Sequence, residues 1–252
     1  MRKSFRALTI VCVYLTSFAA DAAEFRVVPQ QITLSDAYSR RQVLAEVDQH
    51  DVTHLATWKS MTPQIVAVDA SGYVMPVADG DGTIAVSIDG HVREVPVSVS
   101  GLRKRRPVDF ASEIMPLLSR YGCNSGGCHG KASGQNGFRL SLFGFDTEFD
   151  YQAIVQEARG RRVFAADSSN SLLLRKAIGA APHGGGKRFD SESEAHRLIH
   201  DWISAGALPA DNDAPAVVAL TAFPNERILA RDEQQQLCVV AEYSDGTTRD
   251  VT

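Results

Sequence analysis

The sequence predicts a multidomain chain: an all-β sandwich, then a mainly α unit, then the start of a second β unit. Three observations predict it. Over residues 24–100 apolar and polar residues alternate with period two. Over residues 108–206 the apolar period lengthens to about 3.6. From residue 217 period two returns, and Asp250-Val251-Thr252 repeats Asp51-Val52-Thr53.

Composition sets the bounds. The 252 residues are 44% hydrophobic and 22% charged, with a formal net charge of −4. That describes an ordinary globular protein with room for one to two domains and asks for no nucleic-acid partner. Residues 1–23 read as a secretory signal: Arg2, Lys3 and Arg6 precede an apolar run from Ala7 to Ala20, and Ala20-Asp21-Ala22 is a small-x-small cleavage pattern. The run is shorter than the roughly 20 residues of a spanning helix. Export with removal of the signal is therefore expected, to the periplasm, the cell surface or outside the cell, with no transmembrane segment in the mature chain. Cys12 leaves with the signal, and Cys123, Cys128 and Cys238 remain.

In the first β unit, alternation is clear in residues 43–47, 65–68 and 83–88. The last run meets Asp89-Gly90 and then alternates again through Val99, the strongest short-range hairpin signal. Trp58 is expected in the core, and His50, His54 and His91 on the surface. Asp51-Val52-Thr53, Ala56-Thr57-Trp58, Ile65-Val66-Ala67-Val68-Asp69 and Ser71-Gly72-Tyr73-Val74 resemble the group 2 bacterial immunoglobulin-like domain over about 75 residues. The resemblance implies a spacer or adhesion module of an exported protein, with cell-surface association as one expected setting, a role that fold alone does not fix. Residues 101–107, with Arg103-Lys104-Arg105-Arg106 before Pro107, are expected to be a solvated basic linker.

Asp109 caps a predicted helix to Tyr121, with Phe110, Ile114, Leu117 and Leu118 on one face and Gly122 ending it. Gly122-Cys123-Asn124-Ser125-Gly126-Gly127-Cys128-His129-Gly130 follows. A Cys pair with His directly after the second is a spacing variant of the c-type haem attachment signature. Two thiols form thioethers to the haem vinyls, and the imidazole meets the iron from one side. The two extra residues must bulge, and the glycines at 126 and 127 suit a bulge because glycine takes positive φ. Two other readings compete. Cys123 and Cys128 would close a disulfide loop in an oxidising compartment, or would hold zinc with His129 and another histidine. His129 discriminates, because a disulfide has no use for it.

The apolar run Phe138–Phe145 is expected to cover a flat cofactor or to be ordinary core. Ser171–Lys176 suggests a short helix. Ser191 opens another through a capping box, with Leu198, Ile199, Trp202 and Ile203 on its apolar face and Gly206 as its stop. Phe110–Gly130, Gly137–Leu140, Ser171–Arg175 and Trp202–Gly206 resemble the planctomycete-type cytochrome c domain over about 100 residues. The resemblance implies one covalent haem c with its iron and electron transfer. The implied partner is a redox protein or a further domain of a longer chain. The family commonly has Met-Pro after the middle helix as distal ligand. Here no Met follows the attachment site, and Pro182-His183-Gly184-Gly185-Gly186 stands in its place, so His183 is the expected distal ligand. His196 and His200, one turn apart, are the alternatives, or a metal-chelating pair. An open iron position would instead suggest a haem enzyme. No nucleophile–base set or carboxylate pair points to hydrolysis. Lys131, Arg139, Arg161, Arg162, Lys187 and Arg188 are candidate partners for haem propionates. Gly184-Gly185-Gly186-Lys187 lacks the pattern of a phosphate loop.

After a Pro/Ala/Asp-rich linker over 207–216, residues 217–252 read as a truncated second immunoglobulin-like unit, with a turn at Ser244–Thr247 and Cys238 as a small buried residue. The chain is then expected to be the N-terminal part of a longer protein. A non-redox adhesion or scaffold protein, with Cys123 and Cys128 disulfide-linked, is the alternative to an electron carrier.

Overall fold

The computed structural model describes residues 24–103 and 106–252; the signal segment and Lys104-Arg105 lie outside. Short strands build the first unit: β1 (Phe25–Val28), β2 (Ile32–Leu34), β3 (Arg41–Gln42), β4 (Leu44–Val47), β5 (His50–Asp51), β6 (Thr57–Ser60), β7 (Val66–Val68), β8 (Tyr73–Pro76), β9 (Gly80–Ile88) and β10 (His91–Val99). They form three small sheets, ordered β1-β4-β5, β2-β10-β9-β6 and β3-β8-β7. The β9–β10 hairpin turns at Asp89 (φ 48°) and Gly90 (φ 82°), the two positive-φ positions that an Asp-Gly turn supplies. Alternate residues of β10 and β9, such as Val95, Val97, Ile84 and Val86, point into one core with Leu34, Val43 and Val74. Trp58 sits at the rim of that core, half-buried, with Nε1 donating to the Thr53 carbonyl at 3.1 Å. His50, His54 and His91 are exposed.

The second unit is helical. A π-helical turn (Phe110–Ile114) runs into α1 (Met115–Arg120), and Asp109 caps the turn by accepting from the Ser112 N–H at 2.7 Å. Next come α2 (Thr147–Tyr151), α3 (Leu172–Ala177) and α4 (Glu194–Ser204), joined by short 3₁₀ and π turns. Phe110, Ile114, Leu118, Ile154, Leu174, Leu198, Ile199, Trp202 and Ile203 make its core. Phe110 lies between Tyr151 and Trp202, with ring centroids at 5.4 and 5.3 Å. The cap of α4 is Ser193 rather than Ser191, because Ser193 donates from N and Oγ to the Asp190 carbonyl and so spends residues 190–193 on a turn. No described helix is long and apolar enough to cross a membrane.

The basic segment does not behave as a solvated linker at its end. Arg106 forks onto Glu113 (2.6 Å from each nitrogen) and also meets Asp36 at 3.0 Å. Tyr38 of the β unit is only 5% exposed and belongs to the helical unit's core; its hydroxyl donates to Asp201 Oδ2 at 2.9 Å. Arg40 pairs with Glu194 at the start of α4. Strands β11 (Val217–Phe223), β12 (Cys238–Tyr243) and β13 (Thr248–Asp250) form one further sheet, with Gly246 (φ 79°) in the turn between the last two. Val217, Val218 and Leu220 of β11 are exposed, and Cys238 is buried.

Candidate functional site

Helix α1 ends at Gly122, which takes φ 70° and releases the chain into the cysteine loop. The loop is closed by backbone bonds: Cys128 N to Ser125 O, His129 N to Cys123 O and Gly130 N to Ser125 O, each 3.0 Å. Neither Gly126 nor Gly127 has positive φ, contrary to the expectation for the bulge. The demanding glycine is Gly130, where an added Cβ would overlap the Asn124 carbonyl, with its carbon at 2.7 Å and Ser125 O at 2.9 Å. Close backbone approach, not φ, is the constraint.

Cys123 and Cys128 are both free thiols. Burial pushes the Cys123 thiol up to about 11, which outweighs the Arg188 charge beside it, so it is protonated at neutral pH. Arg188 Nη2 donates to Cys128 Sγ at 3.2 Å.

His129 packs on Phe138 (centroids 4.5 Å), and its Nδ1 donates to the Phe138 carbonyl at 3.0 Å. A carbonyl only accepts, so Nδ1 holds the hydrogen and Nε2 keeps its lone pair. His183 has the same arrangement: after α3, the turn His183–Gly186 lets Nδ1 donate to the Gly186 carbonyl at 2.9 Å. The two rings face each other with centroids 6.2 Å apart and planes 6° from parallel. Burial, then the nearby His183, Arg162 and Arg188, hold His129 below the usual histidine value, against the pull of the Phe138 carbonyl.

Both rings, both thiols and Arg188 line a cavity of about 570 Å³, walled by Leu118, Leu140, Leu172, Leu173, Phe189 and Ile199. That volume lies within the usual range for small-molecule sites, about 300–1,000 Å³. Of the six candidate cations, Arg161, Arg162 and Arg188 line it. Arg162 is committed elsewhere, bonded to the carbonyls of Ala153 (2.6 Å) and Gly137 (3.0 Å) and lying 4.4 Å over Phe138. Arg139 stacks over Phe149, Lys187 pairs with Asp190, and Lys131 is not in the lining. Arg188 Nε is buried with no hydrogen-bond partner, a donor aimed at no protein acceptor. Lys176 also lines the cavity and was not singled out in the sequence; its place in the last turn of α3 is the only signal it carries there.

The run 138–145 divides. Phe138 and Leu140 face the cavity, whereas Leu142, Phe143 and Phe145 turn outward, Phe145 being 94% exposed. His196 and His200 are on α4 away from the cavity lining. Among the described residues no group of three or more His, Cys, Asp or Glu side chains converges as a metal site. Two imidazoles with fixed tautomers each keep an Nε2 lone pair for a ligand, and both thiols lie in the same cavity lining.

Residues 54–101 match the Bacterial Ig-like domain family. The chain is similar to domains 4 and 5 of the S-layer protein SbsC, at 18% identity over 31% of this chain and 53% of that one, with a TM-score of 0.26. It is also similar to a bacterial Ig-like domain containing GH10 xylanase from termite gut (15% identity, 36% and 23% covered, TM-score 0.25). An intimin mutant of EHEC O157:H7 is a third (19% identity, 38% and 56% covered, TM-score 0.24). The chain thus spans between 23% and 56% of the length of these structures. No curated protein matches. The N-terminal β unit therefore contains a bacterial Ig-like match over residues 54–101, beside a helical unit and a further three-stranded sheet.

Proposed function

We propose that the helical unit is an exported c-type cytochrome module: a one-electron carrier with one haem, carried on bacterial Ig-like units. Cys123 and Cys128 would hold the haem through thioethers, and His129 and His183 would ligate its iron. One observation carries the reading. His129 and His183 face each other at 6.2 Å, nearly parallel, across an apolar cavity, each with Nδ1 tied to a backbone carbonyl. An imidazole nitrogen binds a metal ion at about 2 Å, so two rings at this separation would suit one shared ion.

The residues present fit the group. The cavity walls are apolar, the two thiols stand beside His129, and the buried Arg188 Nε lacks an acceptor. When bound, haem supplies reversible one-electron exchange at its iron. The chain's own residues do the rest. The carbonyls of Phe138 and Gly186 orient the imidazoles and keep the hydrogen on each Nδ1. Leu118, Leu140, Leu173 and Ile199 exclude water. With His129 and His183 both holding the iron, the unit would serve as a carrier and not as a haem enzyme, and a histidine in place of a methionine ligand would lower the potential. The electrons would pass to a redox protein or to a further domain of a longer chain.

The test is the visible spectrum, in alkaline pyridine, of the chain exported in a host that matures c-type cytochromes. A covalent haem band in the wild type, absent in the Cys123→Ser/Cys128→Ser variant, is expected. A native low-spin spectrum that turns high-spin in His183→Ala is expected too. No covalent haem, with the cysteine pair oxidised by mass spectrometry, overturns the reading and leaves a non-redox surface scaffold.

A further inference from the structure

A second histidine pair lies outside the cavity. His196-Arg197-Leu198-Ile199-His200 sets two imidazoles at i and i+4 on α4, the helical spacing that binds zinc in metal-bearing helices. Leu198 and Ile199 point into the core, 3% and 1% exposed, and this fixes the rotation of α4 so that both histidines share its half-buried outer side. Their ring centroids are 6.1 Å apart and their planes 27° from parallel.

The second observation concerns what stands behind the pair. His200 Nδ1 lies 3.2 Å from Asp201 Oδ1, and a carboxylate only accepts, so His200 keeps its lone pair on Nε2. Asp201 Oδ2 accepts from the Tyr38 hydroxyl at 2.9 Å, and Tyr38 comes from the Ig-like unit. A carboxylate behind an imidazole, itself held by a further donor, is the outer arrangement that supports metal-ligating histidines. Arg197 stands where a helix-borne catalytic zinc site has its glutamate base, so the chemistry here is binding, not hydrolysis.

We propose that His196 and His200 bind one divalent transition-metal ion of the imidazole-preferring kind (zinc, nickel or copper), with Asp201 and Tyr38 as outer partners. Solvent completes the coordination, since among the described residues no third protein ligand joins the pair. Because the outer partners cross the junction, the ion braces the Ig-like unit against α4. This site is independent of the proposed haem.

Titration of nickel chloride into the untagged, haem-free chain, followed by calorimetry and by thermal unfolding, tests it. With the other pair removed, one ion per chain is expected in His183→Gln, and none in His183→Gln/His196→Gln or His183→Gln/His200→Gln. Asp201→Asn is expected to bind about 10–100-fold more weakly, and Tyr38→Phe to lose part of the metal-dependent rise in melting temperature. Binding that survives in His200→Gln and disappears in His183→Gln puts the ion at the other pair and overturns the proposal. No binding at millimolar nickel also overturns it, and so does Tyr38→Phe with an unreduced thermal rise as far as the brace is concerned. Far-UV dichroism without metal confirms that each variant is folded.

Discussion

Replacing Gly130 by alanine tests the loop that carries both thiols and His129. The new Cβ would overlap the Asn124 carbonyl and lie 2.9 Å from Ser125 O, and both are backbone, so no side chain can swing away to make room. The segment must open. The bonds from His129 N to Cys123 O and from Gly130 N to Ser125 O, both 3.0 Å, are the ones that bring residue 130 against residues 124 and 125. Losing two backbone hydrogen bonds in a half-buried loop costs about 2–4 kcal/mol. For a chain of this size each kcal/mol moves the melting temperature by about 2–4 °C, so a fall of about 5–15 °C is expected. Gly127→Ala is the matched control. Gly127 is exposed, has ordinary φ and has nothing within 4 Å of a built Cβ, so its change should stay within about 0.5 kcal/mol. Thermal unfolding of the haem-free chain by far-UV dichroism reads both. If Gly130→Ala melts within about 1 °C of wild type, or Gly127→Ala is equally damaging, the account of this loop is wrong.

Arg162→Ala should destabilise the helical unit by about 3 kcal/mol, because the carbonyls of Ala153 and Gly137 lose a charged donor in a buried place. Arg162→Lys should fail to restore it, since an ammonium cannot fork to both carbonyls; full rescue in urea unfolding contradicts this. Tyr38→Phe should cost about 1–2 kcal/mol through the hydroxyl on Asp201, read as a lower urea midpoint at unchanged slope. The haem-free chain should also lose stability in mild acid. Burial first, then neighbouring charge, lowers both His129 and His196 from 6.5, so below about 6.5 the unfolded chain binds more protons. Their contribution is complete above that value, declines as the pH falls through it toward the depressed folded values, and is constant beneath them. Urea midpoints between about pH 8 and 5 should show this slope, and His196→Gln should flatten it.

What the sequence made legible was local. The Asp89-Gly90 hairpin could be read because both turn residues need positive φ, and they have it. Asp109 could be read as a cap because the cap bond is made within three residues. The cysteine loop was legible as a motif, but its critical glycine was not: Gly130 matters through contact with Asn124 and Ser125 once the loop has closed, and no residue preference reports that. The same holds for Ser193, which won the cap from Ser191 through a turn back to Asp190. By hydrophobicity Leu142, Phe143 and Phe145 are expected to cover a flat cofactor or to be core, yet their segment turns outward where Phe143 takes φ 53°. The facing of His129 and His183 depends on two loops separated by α2 and α3, so periodicity was silent about it.

The junctions bear on what the β units do. A spacer joined by a solvated linker would leave the helical unit free to reorient. Here Tyr38 enters the helical core, and Tyr38 and Arg40 both grip α4, the helix whose Ile199 walls the cavity. The two β units also hold each other reciprocally. In each repeat of Asp-Val-Thr, one carboxylate oxygen closes its own turn, Asp51 to Thr53 N and Asp250 to Thr252 N, both at 3.0 Å. The other oxygen crosses to the opposite unit, where Asp51 accepts from Gln236 N and Asp250 from Gln42 N at 2.7 Å. Backbone donors satisfied by buried or half-buried carboxylates are costly to leave unpaired, so sliding one unit against the other breaks both bonds at once. The β units therefore hold the helical unit, and the cavity with it, in one orientation and not in an ensemble set by a flexible tether.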